Sequence, residues 1–179
     1  LGQGPHGVVW KAAHEKTKAP VLIKIFNNKS AGATYKRFSP IHTKLIYPRK
    51  NPIPGALKIY DFVESGPNPY LVMEWFEGKS LSYLLRQGPL PIGYAFKLVE
   101  KIALIVRSLH KLSLLHLNLK PSNIILGPQD EIKITDYRLD PWQGFLRADV
   151  PHLMALPAVD SAVCYLSPEQ RQKCPDLDE

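Results

Sequence analysis

Three groups of residues in this chain have types and spacing suited to anions or to proton transfer. Gly2, Gly4 and Gly7, followed by Val9, open the sequence. Glycines so spaced let a hairpin lie close over phosphates with its amides pointing inward, and they serve an ordinary turn equally well. Val21-Leu22-Ile23-Lys24-Ile25-Phe26 reads as a buried strand carrying one lysine. A lone Lys in such a strand either snorkels out at an edge or has an anionic ligand. The third group is His116-Leu117-Asn118-Leu119-Lys120-Pro121-Ser122-Asn123, with Asp136 beyond it. At its centre stands Asn118, an amide, which cannot usefully accept a proton near neutral pH, whereas a carboxylate can.

The elements that must position these groups follow from pattern. Val8 to Ala12 continues the glycine stretch as a strand, and His14 to Lys18 forms a polar turn before the lysine strand. Ala56–Glu64 and Asn68–Trp75 read as two strands around Ser65-Gly66-Pro67. Ser80 is a candidate N-cap for a helix start. After Gly88-Pro89-Leu90-Pro91 comes the best amphipathic helix. Leu98, Val99, Ile102, Ile105, Val106, Leu109 and Leu112 form its expected core stripe. Asn123–Leu126 and Ile132–Thr135 then make a hairpin turning at Gly127-Pro128-Gln129-Asp130, which delivers Asp136.

Composition narrows the function classes. With 179 residues, 45% apolar and 22% charged, the chain is ordinary for a globular protein and holds no apolar run long enough to cross a bilayer. Cys164 and Cys174 lack a Cys-x-x-Cys spacing, which argues against a disulfide scaffold or structural zinc and points to a reducing, cytoplasmic setting. The six histidines are scattered, so a metal hydrolase is disfavoured. Residues 1–60 carry eleven Lys and Arg against one acid, Glu15, a net of +10 within a total of +7. That face suits an acidic partner or simply water. No aromatic-interleaved basic motif accompanies it, so no specific nucleic-acid partner is indicated.

These motifs, in this order, resemble the eukaryotic-type (Hanks-type) protein kinases. The glycine loop leads from strand to strand with no helix opening at the glycines, which favours a kinase-type loop over a dinucleotide-binding one. Lys24 matches the lysine of Val-Ala-Ile-Lys, and Met73 the gatekeeper before a hinge at Glu74 to Phe76. The stretch from His116 to Asn123 matches His-Arg-Asp-Leu-x-x-x-Asn, Asp136-Tyr137-Arg138 matches Asp-Phe-Gly, and Ser167-Pro168-Glu169 matches Ala-Pro-Glu. The resemblance implies an α+β, bilobal kinase-like fold. Residues 1–76 form the small β-rich lobe, and 77–179 form the first, incomplete part of the helical larger lobe. It implies ATP contacts at Gly2, Gly4, Gly7, Val9, Lys24, Met73, Glu74 and Phe76, Mg2+ ligands at Asn123 and Asp136, and catalytic-loop positions at Asn118 and Lys120.

Departures from the family pattern give the resemblance its functional direction. Asn118 replaces the catalytic Asp, and no Asp or Glu occurs from Lys16 to Tyr60, where a helix expected around 33–46 would carry the Glu that pairs with Lys24. Leu22 replaces a small Ala, Arg138 a Gly, Leu117 an Arg and Ala162 a Thr. The pattern looks most like a pseudokinase domain truncated after Ser-Pro-Glu, a signalling or scaffolding module with a partly retained ATP site. The alternative is a weakly active or atypical serine/threonine kinase, and a third reading is a structural domain that binds no nucleotide. Such a fragment is expected to leave apolar surface uncovered and to bind hydrophobic dyes.

Overall fold

The computed structural model describes residues 2–4, 7–26, 53–63, 68–112, 114–136 and 164–168. They belong to two compact units, Leu1–Glu77 and Gly78–Glu179. The expected helix around 33–46 lies outside the described residues, as do Tyr137, Arg138, Ala162 and Glu169.

The first unit is an antiparallel sheet of β1 (Gly2–Gly4), β2 (Gly7–Ala13), β3 (Pro20–Phe26), β4 (Ile59–Val63) and β5 (Tyr70–Glu74) in the order β1-β2-β3-β5-β4. The β-branched runs extend as expected, and the His14–Lys18 turn is closed by the Lys18 N–H donating to the His14 carbonyl at 2.8 Å. β4 is shorter than the expected Ala56–Glu64 strand. Its register with β5 shifts between Ile59 and Asp61, and such an irregularity interrupts a ladder. One face carries Phe26, Ile59, Phe62, Leu71 and Met73, all buried, with Phe26 and Phe62 edge to face at 6.4 Å. The opposite face exposes Trp10.

Gly7 is needed for packing as well as for any ligand. Its φ is +150°, and a Cβ there would collide with the Ile25 carbonyl of the paired strand. Gly7→Ala is expected to destabilise the unit by about 2 kcal/mol, read as a lowered urea midpoint.

The second unit starts with β6 (Lys79–Ser80) and a short helix, α1 (Leu81–Leu85). Ser80 is its N-cap, as expected, accepting the Tyr83 N–H at 3.2 Å. Helix α2 (Ile92–His110) follows, then β7 (Ile124–Leu126) and β8 (Ile132–Ile134), with β6-β7-β8 forming a second sheet. Leu98 and Ile105 of α2 pack with Leu81, Ile124, Leu126, Ile132 and Ile134 into one core.

Two stripe residues are corrected. Val99 is 63% exposed and Leu112 is also exposed. Leu98, Ile102, Ile105 and Leu109 follow one line at helical spacing, and Val99 lies about 100° around the helix from Leu98. It joins Ile92 and Phe96 in a second, exposed apolar line. Leu112 stands in the turn after the helix, where helical extrapolation no longer applies. The middle of α2 is tied to the turn between β7 and β8 by Lys101, whose Nζ donates to the Asp130 carbonyl at 2.9 Å.

Candidate functional site

In the first unit, strand pairing gathers the expected nucleotide residues. Directly paired residues of an antiparallel ladder share a face. The pairs Val9↔Lys24 and Leu22↔Met73, with the alternation along β3, put Val9, Leu22, Lys24 and Met73 on one face. Gly2 pairs with Val9 and Gly4 with Gly7, so the glycines form the adjoining hairpin. Lys24 is only 6% exposed and β3 is flanked on both sides by strands, which removes the edge-snorkelling alternative. A buried ammonium needs polar or anionic company. Its Nζ also lies 6.0 Å from the Phe26 ring centroid. Leu22 is half-buried beside Met73, so the wall of this face is bulkier than an alanine would make it.

Past Met73 the backbone is braced. The Glu74 N–H donates to the Lys58 carbonyl and the Glu74 carboxylate accepts the Lys58 N–H, both at 2.9 Å. Phe76 is half-buried just beyond, and Trp75 between them carries the Lys11 ammonium 4.0 Å from its ring centroid.

In the second unit the loop closes on itself. Leu117 adopts a left-handed φ of 57°, unusual for a branched residue, which turns the chain back so that the Asn118 N–H donates to His116 Nδ1 at 3.2 Å. The neutral ring then carries its proton on Nε2. His116 is 3% exposed, and burial lowers its pKa from 6.5 to about 4. The charge of Asp136 and backbone hydrogen bonds at Thr135 and His116 oppose that shift without overcoming it.

Asn123 fastens the loop to the strand end that carries Asp136. Its Nδ2 donates to the Asn118 carbonyl at 2.7 Å. Its N–H donates to the Lys120 carbonyl and its own carbonyl accepts the Thr135 N–H, both at 2.9 Å. Both sides of the Asn118 peptide are thus held, and its side chain starts from a fixed backbone. The carbonyl partner fixes the Asn123 amide with nitrogen inward, leaving Oδ1 as the atom able to face a cation. Asp136 follows Thr135 with a left-handed φ of 60°. An amide oxygen and a carboxylate suit Mg2+, a hard cation that takes few protein ligands and completes its shell with phosphate and water. Among the described residues no cluster of three or more His, Cys, Asp or Glu could hold a metal unaided.

Asn118, Lys120, Asn123 and Asp136 are therefore brought into one bonded neighbourhood, and Val9, Lys24 and Met73 onto one sheet face. Sequence reasoning missed His116 as the anchor of the loop. The available signal was a histidine directly after Leu114-Leu115, a position expected to be buried. Ser167 and Pro168 are described, and Cys164 and Tyr165 are exposed.

Both the fold and these motifs are those of one enzyme family. The protein kinase domain model matches residues 1–141, and the chain belongs to that family. It is 31% identical over 175 residues to the carbon catabolite-derepressing protein kinase of Candida albicans, covering 94% of this chain and 28% of that protein. It is 31% identical over 147 residues to human receptor-interacting serine/threonine-protein kinase 3, covering 80% of this chain and 27% of that one. The chain thus spans little more than a quarter of the length of these relatives. The crystal structure of the Mycobacterium tuberculosis PknI kinase domain superposes with a TM-score of 0.66 at 22% identity, covering 76% of this chain and 55% of that one. The fold is accordingly an α+β protein kinase fold, with a small antiparallel sheet and some helix. Among the described residues no helix is long and apolar enough to cross a membrane.

Proposed function

We propose that this chain is a pseudokinase-like signalling or scaffolding domain that binds Mg-ATP and transfers its γ-phosphate poorly or not at all. The observation that carries the reading is Asn118, whose side chain is a non-basic amide and whose backbone is held by two hydrogen bonds at the centre of an otherwise assembled loop. In this reading Gly2, Gly4 and Gly7 approach the phosphates and Lys24 supplies a positive charge. Val9, Met73, Glu74 and Phe76 line the base, and Asn123 and Asp136 hold Mg2+. Lys120 would steady a phosphate in transfer, but nothing at position 118 takes the proton from an attacking hydroxyl. Bound ATP would supply the phosphoryl group. A cytoplasmic setting and a protein partner with an acidic surface, docking on the basic residues of the first unit, belong to the same proposal.

A second reading, a weakly active serine/threonine kinase, is favoured by the intact bonding of Asn123 to the Asn118 peptide. Phosphoryl transfer depends mostly on positioning and electrostatics, so a lost base need not abolish it. Titration with Mg-ATP by calorimetry, followed by labelled γ-phosphate transfer to a generic protein, separates the readings. The expected result is saturable binding, weakened at least about tenfold in Lys24→Ala, with transfer at background. Robust transfer that Lys24→Ala abolishes would sink the pseudokinase reading. Failure of the wild type to bind would leave the structural domain that takes no nucleotide.

A further inference from the structure

Two cations converge on one exposed tyrosine at the start of the second unit. The ring of Tyr83 in α1 is 40% exposed. Lys79 Nζ lies 4.9 Å from its centroid and Arg86 Cζ lies 6.0 Å away. Lys79 comes from β6 and Arg86 is the C-cap of α1, so side chains from opposite ends of a five-residue helix reach the same ring. Cation–π attraction steers each head group over the ring, and this brings two like charges together. Along the sequence, carboxylates are sparse around them, with none between Glu77 and Glu100. Nor is there an Asp or Glu in the 121–126 segment against which α1 packs. Glu77, exposed and two residues before Lys79, is the nearest acid in sequence.

The geometry points to a docking site for an acidic segment of a protein partner, held by Lys79 and Arg86 with Tyr83 as the platform between them. Arg86 suits a carboxylate through its planar fork and Lys79 through its point charge, and the ring pre-positions both. A nucleic acid is the weaker candidate, because its binding draws on many phosphate contacts along a basic track, whereas this patch has two cations around one ring. The segment would lie beside the 3-10 turn Pro121–Asn123, next to the loop that carries Asn118. This site differs from the basic surface of the first unit. It depends on the scaffolding reading only in taking a protein as partner, and needs no nucleotide.

The test is fluorescence anisotropy of a short Glu-rich peptide with the full chain in the absence of ATP, so that failure here and failure of ATP binding are separate results. Lys79→Ala with Arg86→Ala should weaken binding about tenfold or more, and added salt should weaken the wild type. Lys79→Glu with Arg86→Glu should lose the Glu-rich peptide and gain a Lys-rich one, a gain that an unfolded variant would not show. Unchanged binding in the double-alanine variant would overturn the proposal. So would equal binding of Glu-rich and Lys-rich peptides to the wild type. Tighter binding of a single-stranded oligonucleotide through the same two side chains would overturn the assignment to a protein segment.

Discussion

Asn118→Asp is expected to raise γ-phosphate transfer from Mg-ATP by about 100-fold over the wild type, the lower end of what a positioned general base contributes. The substitution is nearly isosteric, and the surrounding loop has little reason to move. The residue's N–H is bound to His116 Nδ1 and its carbonyl to Asn123 Nδ2, and both bonds use backbone atoms that the substitution leaves alone. What changes is one side-chain atom, from an amide nitrogen that donates to a carboxylate oxygen that accepts a proton. Radiolabel incorporation into a generic protein substrate measures the effect, and Asp136→Asn in the same background should return it to the baseline. A variant that binds Mg-ATP normally but stays silent would contradict the view that position 118 is the principal defect. It would shift attention to the lack of any Asp or Glu between Lys16 and Tyr60 and to Ala162.

The second large effect is on stability. His116 titrates at about 4 in the folded chain against 6.5 when exposed, with burial the main cause. Between those values the unfolded chain holds a proton that the folded chain does not, so acidification favours unfolding there. The contribution of the neutral, buried ring is fully present above pH 6.5, declines as pH falls toward about 4, and changes no further below that. The shift corresponds to about 3 kcal/mol, a large share of the stability of an ordinary domain. Urea unfolding at about pH 7.5 and about pH 4.5 should show this loss in the wild type. His116→Gln should have a lower midpoint at the higher pH and a much smaller drop between the two. Equal pH dependence in both proteins would remove His116 as its source.

Much of the fold was legible because its signals are local. The β-branched runs on either side of the His14–Lys18 turn needed only alternation and turn residues to be read as β2 and β3. Ser80 as an N-cap and the Leu98–Leu109 line of α2 follow from spacing along a single helix. The failures at Val99 and Leu112 mark the limit of that method. Periodicity says that a helix has an apolar side, but Val99 adjoins both the buried line and the exposed one, and only the position of the second sheet decides between them. The shortened β4 is similar, since a register shift belongs to a pair of strands and to neither alone.

The same division holds for the candidate site. Residue types alone determined that this chain has kinase motifs, that position 118 lacks a carboxylate and that no acid lies between Lys16 and Tyr60, because these are facts of covalent chemistry that no folding can change. Tertiary structure alone decided that Lys24 is buried in an interior strand and that Gly7 is required by the Ile25 carbonyl. It also decided that His116 is driven neutral and that Lys79 and Arg86 share one tyrosine. Burial, hydrogen-bond direction and the meeting of charges depend on distances through space between residues far apart or differently oriented along the chain, and those distances exist only once the elements have packed.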